Sequence, residues 1–137
     1  MDALDRLPHG PEFRFVDRLL ELDPGKNGVG EFTLRGDEVW LPGHFPGEPI
    51  MPGVLLIEAA AQLTGIVAQS DPDLGALPRL RLTAVNRAKI MGAIKPGETV
   101  ELRASVEGRL QGLIQAKANA VVEGREILSC GLTLSGG

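Results

Sequence analysis

The run from Pro52 to Ala68 constrains this chain more than any other feature, because only Glu58, Gln62 and Thr64 interrupt an otherwise apolar stretch. Alanine and leucine dominate it, both strong helix formers. Pro52 suits a first-turn position, where its missing N–H costs nothing. The reading is one helix from Pro52 to Gln69, with Gly65 lowering the propensity only slightly. It fails as a membrane span, which needs about 20 apolar residues, and Glu58 and Gln62 fall in its middle. A helix that is apolar nearly all round must be covered by other structure on most sides.

The rest of the chain supplies that cover. Val100, Leu102, Ala104 and Val106 alternate with Thr99, Glu101, Arg103 and Ser105 between Glu98 and Glu107, the period-2 pattern of a half-buried strand. Ile114, Ala116, Ala118, Ala120 and Val122 alternate in the same way, as do Leu128, Cys130, Leu132 and Leu134. Gly108 to Gly112 and Glu123-Gly124 are short enough to be hairpin connections of an antiparallel meander. Pro96-Gly97 marks the turn before it. Upstream, Phe13 to Leu22 and Val29 to Leu34 flank the turn-forming segment Asp23 to Gly28, and Arg79 to Val85 reads as one more strand. The order is two or three strands, a long buried helix, then about four strands. A sheet of about six strands curled around one helix is the simplest α+β arrangement. At 137 residues the expectation is one domain over 1–137, with no repeat and no linker longer than the Ser70 to Pro78 loop.

Composition narrows the function. The single cysteine, Cys130, excludes an internal disulfide framework. Two histidines and one cysteine leave little from which to build a zinc site, so neither metal nor cofactor is expected. A net charge of −4 argues against nucleic-acid binding, which needs a basic face. Met1 to Arg6 carries two Asp and no apolar core follows, so no signal peptide is read and a cytoplasmic setting is expected.

The segment from Leu41 to Gly53 holds four of the ten prolines and ends where the buried helix begins. Such a loop is restricted in φ and presents one side chain, His44, in a fixed place. Histidine exchanges a proton near neutral pH, although a lone loop histidine is more often structural. His9 reads as structural. Glu58 lies about one and a half turns into the helix, with Gln62 one turn later on the same face. An ionised, unpaired carboxylate is costly to bury, so Glu58 must be paired, face a cavity or be protonated. Desolvation raises a carboxyl pKa, which makes Glu58 a candidate acid. Gln62 fits two roles equally: part of a site, or a buried amide satisfying loop backbone. The first-turn N–H of Gly53 or Val54 carries the positive end of the helix dipole and suits a developing oxyanion. A loop base, a helix acid and an N-terminal donor together suit proton abstraction beside a carbonyl, followed by loss of a β-leaving group.

His44-Phe45-Pro46-Gly47-Glu48-Pro49-Ile50-Met51-Pro52-Gly53-Val54-Leu55, followed by Ile57-Glu58-Ala59-Ala60-Ala61-Gln62, resembles the signature of the (3R)-hydroxyacyl-[acyl-carrier-protein] dehydratases of bacterial fatty-acid synthesis. Leu7-Pro8-His9, Val16-Asp17-Arg18 and Lys95-Pro96-Gly97-Glu98 are similar to the family's opening and its later turn. The likeness runs from residue 7 to about 134. It implies the hot-dog fold, and dimers joined edge to edge with two active sites across the interface, in many members as trimers of dimers. It further implies His44 as catalytic base and Glu58 of the neighbouring subunit as catalytic acid. Gly53 would hold the thioester oxygen, and Gln62 would support the carboxylate or its water. The implied reaction is dehydration of a 3-hydroxyacyl thioester on acyl carrier protein. Glutamate rather than aspartate at position 58 resembles the branch that stops at the trans-2-enoyl product.

The chain departs from the pattern at Gly10-Pro11-Glu12-Phe13, where relatives have Arg-Tyr-Pro-Phe. Ala88-Lys89-Ile90 stands in place of Ala-Arg-Phe, and there is no tyrosine to gate a tunnel. Arg79, Arg81, Arg87, Lys89 and Lys95 lie between Leu74 and Gly97 with no acidic residue among them. Such a basic patch would steer an acidic carrier protein, although charges of this kind usually mark a solvated strand face. Two other readings stand beside the dehydratase: a hot-dog acyl thioesterase, and a catalytically silent partner subunit.

Overall fold

The computed structural model describes residues 14–38, 40–41, 49–74 and 76–136. Strands β1 (Arg18–Asp23) and β2 (Asn27–Thr33) come first, then helix α1 (Gly53–Gln69). Strands β3 (Arg81–Ile90), β4 (Thr99–Leu110), β5 (Leu113–Val122) and β6 (Arg125–Ser135) follow. The strands form one antiparallel sheet in the order β1-β2-β4-β5-β6-β3. The sheet curls around α1, the hot-dog arrangement expected from the sequence.

Alternation fixes the strands. Val100, Leu102 and Ala104 of β4, Ala116, Ala118 and Ala120 of β5, and Cys130, Leu132 and Leu134 of β6 are all buried against the helix side. Small side chains on the middle strands let α1 lie close to the sheet. Phe15 anchors one end of the core, edge-to-face with Phe32 and with Trp40, each at a ring separation of 5.8 Å.

The helix ends are docked by different means. At the C-terminus, the Ser70 and Gly25 N–H groups both donate to Val67 O, and the Arg109 guanidinium donates to Ala68 O, so carbonyls without intrahelical partners are satisfied. Gly25 has φ +79, and an added Cβ would sit 2.6 Å from Asp71 Oδ2, so both conformation and space demand glycine there. At the N-terminus, Pro52 is the cap residue rather than the first helical one, one position from the expected start. Its carbonyl accepts from Leu55 and Leu56 at 2.9 and 3.3 Å.

β3 differs most from the sequence expectation. It begins at Arg81 rather than Arg79 and runs to Ile90, five residues beyond Val85. Both of its faces are largely exposed, so no apolar alternation betrays its length. A bulge between Asn86 and Lys89, with Arg87 at φ +51, breaks the register further. The strand also leaves the meander, crossing to the far edge of the sheet beside β6.

Candidate active site

His44 with Phe45 to Glu48, and the opening segment with His9, lie outside the described residues. The ends of the His44 loop are described and fixed. Leu41 and Met51 are both core residues, the Leu41 N–H donates to Glu38 O, and the Met51 N–H donates to Ile94 O at 3.1 Å. Leu41 and Met51 are thus two buried apolar anchors on either side of the segment that contains His44.

Glu58 sits in the second turn of α1 and is half-buried. The helix is not covered evenly. Leu56, Ala59, Ala60, Leu63, Ile66 and Val67 face the sheet and are buried, whereas Val54, Ile57, Glu58 and Gly65 form a less covered stripe at helical spacing. The carboxylate lies on that stripe rather than deep in the core, which lessens the desolvation expected from the apolar run.

Gln62 is 2% exposed, and its Oε1 accepts the Phe15 N–H at 2.8 Å. Of the two roles open from sequence, the amide oxygen performs the structural one: it satisfies the buried backbone of the segment entering β1.

Gly53 and Val54 open the helix, and their N–H groups precede the first intrahelical donor, Leu55. Ile90, at the end of β3, packs on Gly53, where an added Cβ would lie 2.7 Å from Ile90 Cδ1 and 3.2 Å from Cγ2. The Val54 side chain is 69% exposed, and Ile90 and Met91 are half-exposed beside the same helix end. Sequence reasoning missed these two residues as neighbours of the site. Their only signal was the aliphatic Ile90 at a position where the resemblance calls for an aromatic.

The five cations expected to form a patch are strung out along β3 and its flanks. Arg81, Asn86 and Lys89 face Ser135, Gly131 and Ser129 of β6 on the side of the sheet away from the helix, while Leu82, Val85 and Ile90 face Leu134, Leu132 and Leu128 on the helix side. A groove of about 960 Å³ on that outer face is lined by Arg87, Arg103, Ser105, Lys117 and Asn119 among others, and touches none of Gly53, Glu58 or Gln62. Among the described residues no cluster of His, Cys, Asp and Glu could hold a metal ion, and no helix is long and apolar enough to cross a membrane.

Residues 7–130 match the model of the FabA-like domain family. The chain belongs to that family. The 3-hydroxyacyl-[acyl-carrier-protein] dehydratase FabZ of Chloroflexus aggregans is 38% identical over 85% of this chain and 80% of its own length. The FabZ of Herpetosiphon aurantiacus is 33% identical over 96% and 92%. The dehydratase heterocomplex ApeI:P from Xenorhabdus doucetiae contains a chain that superposes with a TM-score of 0.84 at 13% identity, covering 100% of this chain and 91% of its own. Zebrafish thioesterase superfamily member 2 superposes at 0.72 with 17% identity, covering 98% and 91%. The structural likenesses establish the hot-dog fold, which hosts both chemistries. Family membership rests on the sequence.

Proposed function

We propose that this FabA-like protein is a 3-hydroxyacyl-[acyl-carrier-protein] dehydratase of fatty-acid synthesis. The observation that carries the reading is identity of 33–38% to curated FabZ dehydratases across most of both chains, together with a carboxylate on the less covered stripe of α1. The thioesterase likeness is one of fold only and carries no activity.

In this reading His44 takes the C2 proton of a 3-hydroxyacyl thioester. The electron pair becomes the C2=C3 bond, the C3–O bond breaks, and Glu58 gives its proton to the departing hydroxyl as water leaves. The N–H of Gly53 or Val54 holds the thioester oxygen while negative charge develops on it, a role favoured by the helix N-terminus. Gln62 holds the entering strand by its oxygen and supports Glu58 one turn away. The product is the trans-2-enoyl thioester.

The site is read as shared between two copies. The less covered stripe of α1, the doubly exposed β3 and the exposed Val54, Ile90 and Met91 lie where a second copy would cover them, pairing β3 with β3. Glu58 would then serve the His44 of its partner, in a dimer or a trimer of dimers.

The test is dehydration of (3R)-hydroxyacyl-carrier-protein substrates of short and medium length, followed by mass spectrometry, with His44→Ala alongside. Enoyl thioester from the wild type but not from the variant supports the reading. Release of free acid would overturn it in favour of a thioesterase, and absence of turnover on every chain length would favour a silent partner subunit.

A further inference from the structure

The face of the sheet turned away from α1 carries a groove that the proposed reaction does not use. Across the strand register, Asn27, Ser105, Lys117, Gly131 and Asn86 form one rung through β2, β4, β5, β6 and β3. They line the groove of about 960 Å³, a volume at the upper end of the ~300–1,000 Å³ of small-molecule sites. Apart from Val29, every outward side chain along it carries an amide, a hydroxyl or a charge, so the groove suits a polar occupant. Gly131 leaves a gap in the rung, and the Asn86 amide lies in it: a Cβ at position 131 would collide with Asn86 Oδ1.

A polar outer face is ordinarily just solvated, and Arg87 sets this one apart. Among the described residues, four non-glycine residues have left-handed φ, and Arg87, at +51, is the one inside a strand. Gln111 and Glu123 sit in hairpin connections, and Arg79 precedes β3. In unbroken alternation residue 87 would join Val85 on the helix side. The bulge between Asn86 and Lys89 brings Arg87 instead to the groove beside Asn86. Left-handed backbone is strained for a residue with a side chain, and such strain concentrates at functional sites. Of the groove's cations, Arg103 pairs with Glu101 at 2.7 Å and Lys117 with Glu107 at 3.4 Å. The Glu126 carboxylate is engaged by Asn119 Nδ2 at 2.9 Å. The Arg87 side chain makes no ion pair or hydrogen bond with a described residue, so the unmatched charge in the groove is positive.

We propose that this groove binds a phosphorylated polar small molecule. Arg87 and the Asn86 amide hold the phosphate, and the Lys117 and Ser105 end of the rung holds the polar body. The guanidinium presents paired N–H donors that match two phosphate oxygens, and the amide beside it serves the third. A carboxylate lacks that third oxygen, and a neutral occupant would leave Arg87 unmatched. The groove touches none of Gly53, Glu58 or Gln62, so the site goes beyond the dehydratase reading and does not depend on it.

The probes are AMP and glucose 6-phosphate, a nucleotide and a sugar phosphate, beside adenosine, glucose and inorganic phosphate. Binding to the folded protein raises its thermal midpoint with probe concentration. One or both phosphate esters should raise it, their unphosphorylated forms should not, and inorganic phosphate should compete. Whichever ester binds more tightly separates a nucleotide source from a sugar phosphate. Arg87→Ala should weaken binding at least roughly tenfold, the worth of a charge-assisted hydrogen bond. Arg87→Gly should weaken it as much, yet unfold at or above the wild-type midpoint without probe, because glycine adopts left-handed φ freely. Gly131→Ala should weaken binding by displacing the Asn86 amide, with little change in the midpoint without probe, since only the end of a side chain must move. No rise with either ester, or a rise that survives both Arg87 substitutions, would overturn the proposal. So would an equal rise with adenosine or glucose. A fall in oligomeric mass in Arg87→Ala, with no response of the wild type to the esters, would assign the groove to contact between copies of this chain instead.

Discussion

Gln62 Oε1 accepts the backbone N–H of Phe15 at 2.8 Å, joining the middle of the central helix to a segment 47 positions earlier in the chain. Both residues are buried, so water cannot replace the bond if it is lost. Gln62→Leu should therefore cost about 1–3 kcal/mol, the penalty for a buried donor left without an acceptor. Urea unfolding followed by the single tryptophan, Trp40, reads this directly, since the Phe15 ring lies 5.8 Å from the indole. A shift of the midpoint without loss of stability in Glu58→Gln would separate the structural residue from the proposed catalytic one.

Glu58 and His44 carry the proposed chemistry, and their variants should behave differently from Gln62→Leu. Glu58→Gln preserves shape but has no carboxyl proton to give, and His44→Ala removes the base. Each should lower dehydration roughly 100- to 10,000-fold, the usual worth of a positioned acid or base. The thermal midpoint of Glu58→Gln should stay close to that of the wild type, because the side chain is half-buried on the less covered stripe and the amide keeps its shape. Near wild-type turnover in either variant would remove that residue from the mechanism.

Cys130 is a core residue on β6, and burial pushes its thiol up from 9.0 to about 11. The thiolate is disfavoured in the folded state, so folded protein holds the proton over a range in which the unfolded chain has lost it. The thiol's contribution to stability is whole below pH 9 and is lost as pH rises toward 11. Two measurements check this. Modification by iodoacetamide at pH 8 should be slow until urea unfolds the protein, and the fall in urea midpoint between pH 9 and 11 should be shallower in Cys130→Ala.

What the sequence disclosed and what it hid follow one physical division. The helix was legible because it is apolar on nearly every side, and its start shifted by only one residue because Pro52 serves as the cap. β4, β5 and β6 were legible because each buries one face, leaving the alternation of Val100, Leu102 and Ala104 or of Cys130, Leu132 and Leu134. β3 was half-legible. Its residues from Asn86 to Ile90 are exposed on both faces, and its place beside β6 is set by long-range pairing such as Asn86 with Gly131. The five cations, close together in sequence, are spread apart by the extension of β3, which carries Arg81, Arg87 and Lys89 and leaves Arg79 and Lys95 on its flanks. For Gln62 the residue type admitted two roles, and a contact 47 positions away was needed to show one of them.

Gly53 and Ile90 should be energetically coupled. Gly53→Ala gains up to about 1 kcal/mol of helix propensity, yet the new Cβ would meet Ile90 Cδ1 at 2.7 Å and Cγ2 at 3.2 Å. The Cδ1 contact can be relieved by rotating the end of the side chain; the Cγ2 contact requires the whole residue to move. Gly53→Ala alone should therefore stabilise little or destabilise, while in an Ile90→Ala background it should show most of the propensity gain. A double-mutant cycle by urea unfolding should return a coupling of about 0.5–2 kcal/mol. If Gly53 and Val54 hold the thioester oxygen, Gly53→Ala in the wild-type background should also lower kcat/KM, and Ile90→Ala should restore part of that loss by letting the helix N-terminus return to its position. An additive cycle would mean that Ile90 does not set the space at the first turn, and the glycine would then be explained by substrate approach alone.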